Sequence, residues 1–272
     1  MHPILITLGP IRIPAYGFLF ALGVLLAVFY CSWRARLEGL DSRRFGDFLF
    51  YMLLSSLIGA KLLLVVTNLG YYFRYPGELR YLLTSGGTFY GGLLFGIAFA
   101  VWYIRRHALS FPVLADILAP GLALGHFFGR LGCFFAGCCW GRDAGHCAIG
   151  ITFTNPQAHD LTGVPLFASL YPTQLGESIL NLAIFLFLHF FRRHRRFRGQ
   201  LFVVYLWSYS VIRFGIEYFR GDPDRGFIFG GLGHPWTSLS VSQTISLFIF
   251  VLGWILYGKY RSHREPADHT RR

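Results

Sequence analysis

"AYGFLFALGVLLAVFYCSW", residues 15–33, runs for 19 positions without a charge. As a helix it rises 1.5 Å per residue, enough to cross most of a ~30 Å hydrocarbon core. Mostly apolar stretches of similar length recur near 46–67, 88–104, 111–129, 173–191, 200–219 and 238–258. Composition agrees with that pattern. The chain has 272 residues, 54% hydrophobic and 14% charged, with 29 Phe. Soluble domains carry about 25% charged residues. The expected fold is an all-α polytopic integral membrane protein with seven transmembrane helices. One transmembrane domain is expected over 1–260, followed by a basic, disordered cytoplasmic tail over 261–272.

Lys and Arg sort the loops into two sets. Arg34, Arg36, Arg43 and Arg44 follow the first stretch, and Arg105 and Arg106 the third. "RRHRRFR", 192–198, follows the fifth, and Lys259, Arg261, Arg264, Arg271 and Arg272 the seventh. The intervening loops are sparse in basic residues. The positive-inside rule therefore sets the N-terminus out and the C-terminus in. The net charge of +12 is topological in this reading, and no nucleic acid is expected, because the arginines mark span ends and form no face with stacking aromatics. "MHPILITLGPIRIPAYGFLF" has neither a basic leader nor a small-residue cleavage site, so it is not read as a removable signal. The outer loops, 68–87, 130–172 and 221–237, are the longer ones and are rich in Gly, Pro and His. A site is expected there, where long loops can cover it.

Ionisable groups inside spans cost several kcal/mol unless paired or hydrated, so each is a functional candidate. They are Lys61, Asp116, His126, Glu177, Arg213 and Glu217, with Arg130 and Arg220 at span ends. Arg213 and Glu217 stand four apart on one helix and share a face. They suit either an internal pair that pins helices or, for Arg213 with Tyr209 one turn before it, a ligand contact. Gly91 and Gly92 directly follow Tyr90. They permit close helix approach or the approach of a lipid headgroup.

"GRLGCFFAGCCWGR", 129–142, sets arginines, glycines and cysteines between apolar stretches. Cys133, Cys138, Cys139 and Cys147 have the spacing C-x4-C-C-x7-C, not the paired C-x2-C of a zinc site, so no metal is expected. A disulfide among them fits an oxidising compartment better. Cys31 reads as packing. Gly129, Gly132, Gly137 and Gly141 with Arg130 read as a flexible loop that offers amides and a guanidinium to a phosphate.

Seven ordered blocks carry a resemblance. They are "YGFLFALG" from Tyr16, "GAK" at 59–61, "FYGGLLFG" from Phe89 and "DILAPGLALGHFFGRLGCFFAGCCWG" from Asp116. "YPTQLGES" from Tyr171, "YSVIRFGIEYFRGDPD" from Tyr209 and "LSVSQTISL" from Leu239 complete the set. The chain resembles the bacterial prolipoprotein diacylglyceryl transferases across nearly its whole length.

That resemblance implies an enzyme of the bacterial cytoplasmic (inner) membrane without a cofactor. It would move the diacylglyceryl group of phosphatidylglycerol to the lipobox cysteine thiol of a prolipoprotein, forming a thioether and releasing glycerol phosphate. Its implied partners are phosphatidylglycerol, prolipoprotein signal peptides and membrane lipid. A leaving phosphate needs fixed positive charge, for which Arg130 and Arg213 are candidates. Tyr16 and Tyr209 would orient the headgroup. Lys61, Gly91, Gly92, Gly129, Gly141, Gln174, Glu177 and Glu217 complete the expected substrate-binding set.

Two departures affect the proton step. Tyr90 stands where the family has His before the Gly pair. In the family's G-R-x-x-N-F-x-N-G-E loop, Cys133, Ala136 and Cys138 replace Asn, Asn and Glu. The thiol must lose its proton. Tyr90, the candidate catalytic group, or Glu177, or the substrate's own surroundings would take it. The rival readings are a non-catalytic lipid-binding relative of the family and a small-solute transporter. The second predicts a polar path reaching both sides and gains nothing from the lack of an internal repeat.

Overall fold

The protein is described here by a computed structural model covering residues 2–8, 11–83, 86–223, 225–231 and 238–262. A hairpin of β1 (Ile4–Leu8) and β2 (Ile11–Pro14) leads into α1 (Ala15–Leu37). There follow α2 (Ser42–Thr67), α3 (Leu69–Arg74), α4 (Phe89–Arg106) and α5 (Phe111–Ala136). A two-stranded ladder of β3 (Ile151–Thr152) and β4 (Ser169–Leu170) brackets α6 (Pro156–Thr162). Then come α7 (Thr173–Phe191), α8 (Gln200–Glu217), the pair β5 (Phe227–Phe229) and β6 (Leu239–Ser240), and α9 (Val241–Arg261).

The fold is all-α and polytopic, as the apolar stretches predict. α1, α2, α5, α7 and α9 are long and apolar enough to cross a membrane. α4 and α8 have 18 residues each and coincide with the remaining two predicted spans. The short strand pairs have no counterpart in the sequence reading. Of the tail expected to be disordered, residues 263–272 lie outside the described residues.

The chain forms two compact units: Met1–Cys31 with Pro112–Arg272, and Ser32–Phe111. In the second, α2 and α4 pack along a seam of small residues. A Cβ on Gly91 would strike the Gly59 carbonyl oxygen and approach Leu63 Cβ to 2.7 Å, and one on Gly92 would come to 3.2 Å from Ser56 O. Across the same seam Ser55 Oγ donates to Phe95 O at 3.1 Å and the Tyr103 hydroxyl to Arg44 O at 3.1 Å. Close approach of this kind is how membrane helices gain packing energy where no hydrophobic drive exists between them.

In the first unit α5 is the hub. Ala119 and Ala123 pack with Ile184 and Leu188 of α7 and with Leu201, Tyr205 and Leu206 of α8. Pro120 sits inside α5 and lacks the N–H that would bond the carbonyl of Asp116. Arg192 fills that vacancy, its Nη2 donating to Asp116 O at 3.0 Å. The Asp116 carboxylate meanwhile accepts from Gly199 N at 2.8 Å and Phe202 N at 3.0 Å, which caps the start of α8. One buried Asp thus ties α5 to Arg192, just past α7, through its backbone and to the start of α8 through its side chain.

Residues 137–172 build a small core of their own from Phe153, Ala158, Val164 and Leu170. Asn155 caps α6 by accepting from Gln157 N at 2.9 Å, and Thr162 Oγ1 ties α6 back to Gly137 O at 3.0 Å. This segment folds against the end of α5, so the long loop seen in the sequence is an ordered cover.

Candidate lipid-phosphate site

The stretch 129–142 is not one flexible loop. α5 continues through Ala136, seven residues beyond the predicted span end at 129, so the amides of Gly129 and Gly132 belong to a helix. The apolar Leu131, Phe134 and Phe135 let it continue. Gly132 is small because Tyr16 lies against it, a Cβ there meeting Tyr16 Cα at 3.3 Å. The reversal comes at Gly137, whose φ of +81° is the left-handed conformation that glycine adopts without strain. Cys138 N then bonds back to Cys133 O at 3.1 Å. Gly141 is a packing position: its Cβ would collide with the Tyr171 carbonyl.

Arg130 therefore projects from the last turns of a helix. Its Nε lies 3.0 Å from Glu177 Oε1, and Glu177 is almost wholly buried in the first turns of α7. Glu177 Oε2 lies 3.8 Å from Arg213 Nη1, and Arg213 Nη2 lies 3.0 Å from Glu217 Oε2. Glu217 in turn faces Arg220 at 3.8 Å and Arg225 at 3.5 Å, and Arg220 grips Asp222 with two donors. Ser242 of α9 accepts from Arg213 Nη2 at 2.9 Å. Four guanidiniums thus meet three carboxylates among the described residues, and one positive charge is left over.

Aromatic and amide groups border the network. Tyr209 interacts with Arg130 and stacks on the partly buried His126 at 4.8 Å, and His126 Nδ1 pairs with the Tyr205 hydroxyl at 3.1 Å. Tyr16 is an electrostatic neighbour of Arg130 and of Cys133, Cys138 and Cys139. Gln174 donates to Cys138 O at 2.9 Å, while its buried Oε1 has no hydrogen-bond partner among the described residues. Such an atom costs stability unless something donates to it. Beside the network a cavity of about 380 Å³ is lined by Trp140, Arg142, Asp143, Leu170, Arg220 and Arg225. Burial pulls the Arg225 pKa below its ordinary value, against the pull of Glu217.

All five cysteines are free thiols, so the expected disulfide is not formed. Instead the sulfurs of Cys133, Cys138 and Cys139 lie within 4.8 Å of one another, and Cys147 is exposed. Hydrogen bonds with Cys133 and Cys138 hold the Cys139 thiol below its usual range, with Arg220 and Arg130 adding to the effect. Cys31 is buried packing, as expected, with its Sγ 3.5 Å from Ile117 O.

Of the predicted residues, the structure brings together Tyr16, Arg130, Gln174, Glu177, Tyr209, Arg213 and Glu217. Tyr90, Gly91, Gly92 and Lys61 belong to the other unit. There the glycines line the α2–α4 seam, the close helix approach that is one of their two expected roles. Lys61 Nζ donates to Gly86 O at 3.3 Å, and Tyr90 is half-exposed. Sequence reasoning gave no role to Ser242, Asp222 or Arg225. The only signal for them was their place in or beside the blocks "LSVSQTISL" and "FRGDPD".

Helices long and apolar enough to cross a membrane, with a buried cluster of ionised side chains capped by an ordered loop, define a polytopic membrane protein. The family can be stated more closely. The family model described as prolipoprotein diacylglyceryl transferase (LGT) matches residues 3–258, and the chain belongs to that family. A phosphatidylglycerol–prolipoprotein diacylglyceryl transferase of Clostridium tetani is 30% identical over 97% of this chain and 100% of its own. One from Hydrogenovibrio crunogenus is 31% identical over 98% and 97%. The second such transferase of Clostridium perfringens is 32% identical over 97% and 99%.

Proposed function

We infer that this chain transfers the diacylglyceryl group of phosphatidylglycerol to the lipobox cysteine of a prolipoprotein at the outer face of a bacterial cytoplasmic membrane. The carbon–oxygen bond between the diacylglyceryl carbon and the phosphate breaks, its electron pair leaving with glycerol phosphate. A sulfur–carbon bond forms, and the thiol proton is lost. Arg213 and Arg130 hold the phosphate as its charge grows, and a buried, preorganised cation is most effective at that task. Tyr16, Tyr209 and the unpartnered Gln174 Oε1 orient the glycerol hydroxyls.

The observation that carries this reading is the buried network itself. Among the described residues its guanidiniums outnumber its carboxylates, and two of those carboxylates, Glu177 and Glu217, hold Arg213 in place. A purely structural cluster gains nothing from excess charge, since an uncompensated buried ion costs several kcal/mol. The experiment is direct: purified protein in phosphatidylglycerol vesicles is given a lipobox peptide, and the thioether product is read by mass spectrometry. Product that requires both phosphatidylglycerol and the peptide cysteine supports the reading. A chain that folds and binds lipid yet forms none contradicts it.

A further inference from the structure

The proton step has no evident owner at this site. Both oxygens of Glu177 face arginines, Glu217 faces three guanidiniums, and His126 is enclosed by Tyr205 and Tyr209. Beside Arg130, however, stand three thiols that none of those contacts uses.

Their convergence follows from the backbone. α5 delivers Cys133, the left-handed Gly137 turns the chain, and Cys138 returns over Cys133. Cys139 is itself left-handed, at φ +57°, and so adds its sulfur to the same cluster. α7 then pins the turn: Gln174 donates to Cys138 O at 2.9 Å and Thr173 to Cys139 O at 3.0 Å. The arrangement is held by groups outside the cysteines.

Three sulfurs on a tetrahedral zinc with Zn–S of ~2.3 Å stand about 3.8 Å apart. The cluster, with its sulfurs within 4.8 Å of one another, needs a closure of at most about 1 Å to reach that. No fourth His, Cys, Asp or Glu joins it among the described residues. Zinc with three protein ligands keeps its fourth position open, the arrangement of catalytic rather than structural sites. Three thiolates on Zn²⁺ carry one net negative charge. Arg130 and Arg220 are the cationic neighbours of Cys139.

We propose that Cys133, Cys138 and Cys139 form a zinc site whose open position receives the acceptor cysteine thiol. Zinc loading displaces the three protein thiol protons to solvent. The incoming thiol loses its own proton to solvent on coordination, as coordinating thiols do. Its sulfur then donates an electron pair to the diacylglyceryl carbon, and the departing glycerol phosphate takes the pair of the broken carbon–oxygen bond. The thioether product is a weaker ligand and leaves. No oxidant or reductant is needed. The role in transfer rests on the transferase reading above; the zinc site does not. The spacing C-x4-C-C hides such a site, because the left-handed turns at Gly137 and Cys139 make it close.

Protein purified in mild reductant without chelator should hold about one zinc per chain by elemental analysis. Cys133→Ser, Cys138→Ser and Cys139→Ser should each lower it at least tenfold, while Cys147→Ser keeps it. Wild-type protein loaded with Co²⁺ reports the open position without any variant. A lipobox peptide should raise the thiolate-to-cobalt absorption by about a third as three thiolates become four, and the same peptide with Ser for Cys should not. Substoichiometric zinc, or a disulfide between two of the three cysteines in freshly isolated protein, overturns the site. An identical cobalt response to both peptides overturns the open position. Undiminished transfer by zinc-free protein overturns the role in activating the thiol and leaves the transferase reading intact. Zinc bound at one per chain without any transfer from phosphatidylglycerol overturns the transferase reading and leaves the site.

Discussion

Arg213 Nη2 lies 3.0 Å from Glu217 Oε2, one turn along the same helix, and Arg213 Nη1 faces Glu177 on another helix at 3.8 Å. The pair expected from the i, i+4 spacing is therefore real, yet Glu217 is shared with Arg220 and Arg225 as well. Glu217 is the counter-ion of the cluster, and Arg213 is held between two acids.

Replacing Glu217 should accordingly be a stability event. Glu217→Gln leaves three guanidiniums short of a partner in a buried setting, where breaking a pair costs ~3 kcal/mol or more. Detergent melting of the variant should fall clearly below wild type. An unchanged melting point would mean that Glu217 does not anchor the cluster.

Gly91 tests packing against substrate contact. No room exists for a methyl group beside Gly59 and Leu63. Gly91→Ala should lower melting by an amount equivalent to ~1–3 kcal/mol while leaving the KM for phosphatidylglycerol unchanged. A raised KM with normal melting would restore the headgroup reading of this glycine.

Tyr90 is the other candidate for the thiol proton. If the thiol cluster activates the acceptor, Tyr90→Phe should keep the transfer rate within about threefold, less than 0.7 kcal/mol of barrier. A drop beyond about tenfold would return the proton to the Tyr90 hydroxyl.

Orientation follows from the loop charges. Reporter fusions after Arg106 and Arg198 should read cytoplasmic, and a fusion near His159 should read periplasmic. One inverted reporter would break the seven-span, N-out topology.

The helices were legible because membrane crossing demands long apolar runs, and α1, α2 and α9 begin or end within a few residues of where those runs do. Arg213, Glu177 and Glu217 were legible for the converse reason, since charge in such runs is costly enough to need a purpose. The extension of α5 to Ala136 was not, because glycines and cysteines look like loop residues until Tyr16 is seen against Gly132. The sulfur cluster was hidden for a related reason. Spacing records separation along the chain, whereas the left-handed residues Gly137 and Cys139 set which thiols meet. For Gly91 and Gly92 the sequence left close helix approach and headgroup contact open, because the seam they pack against lies some 30 residues earlier on α2.

The most direct test of the phosphate site is the transfer rate of Arg213→Lys in phosphatidylglycerol vesicles, read beside its melting in detergent. A planar guanidinium can engage Glu177, Glu217 and a phosphate together, and an ammonium cannot supply that fork. The expected result is a rate loss of more than about tenfold, roughly 1.4 kcal/mol of transition-state stabilisation, in a protein that still folds and inserts. A Lys variant that transfers at a near-wild-type rate would contradict the account.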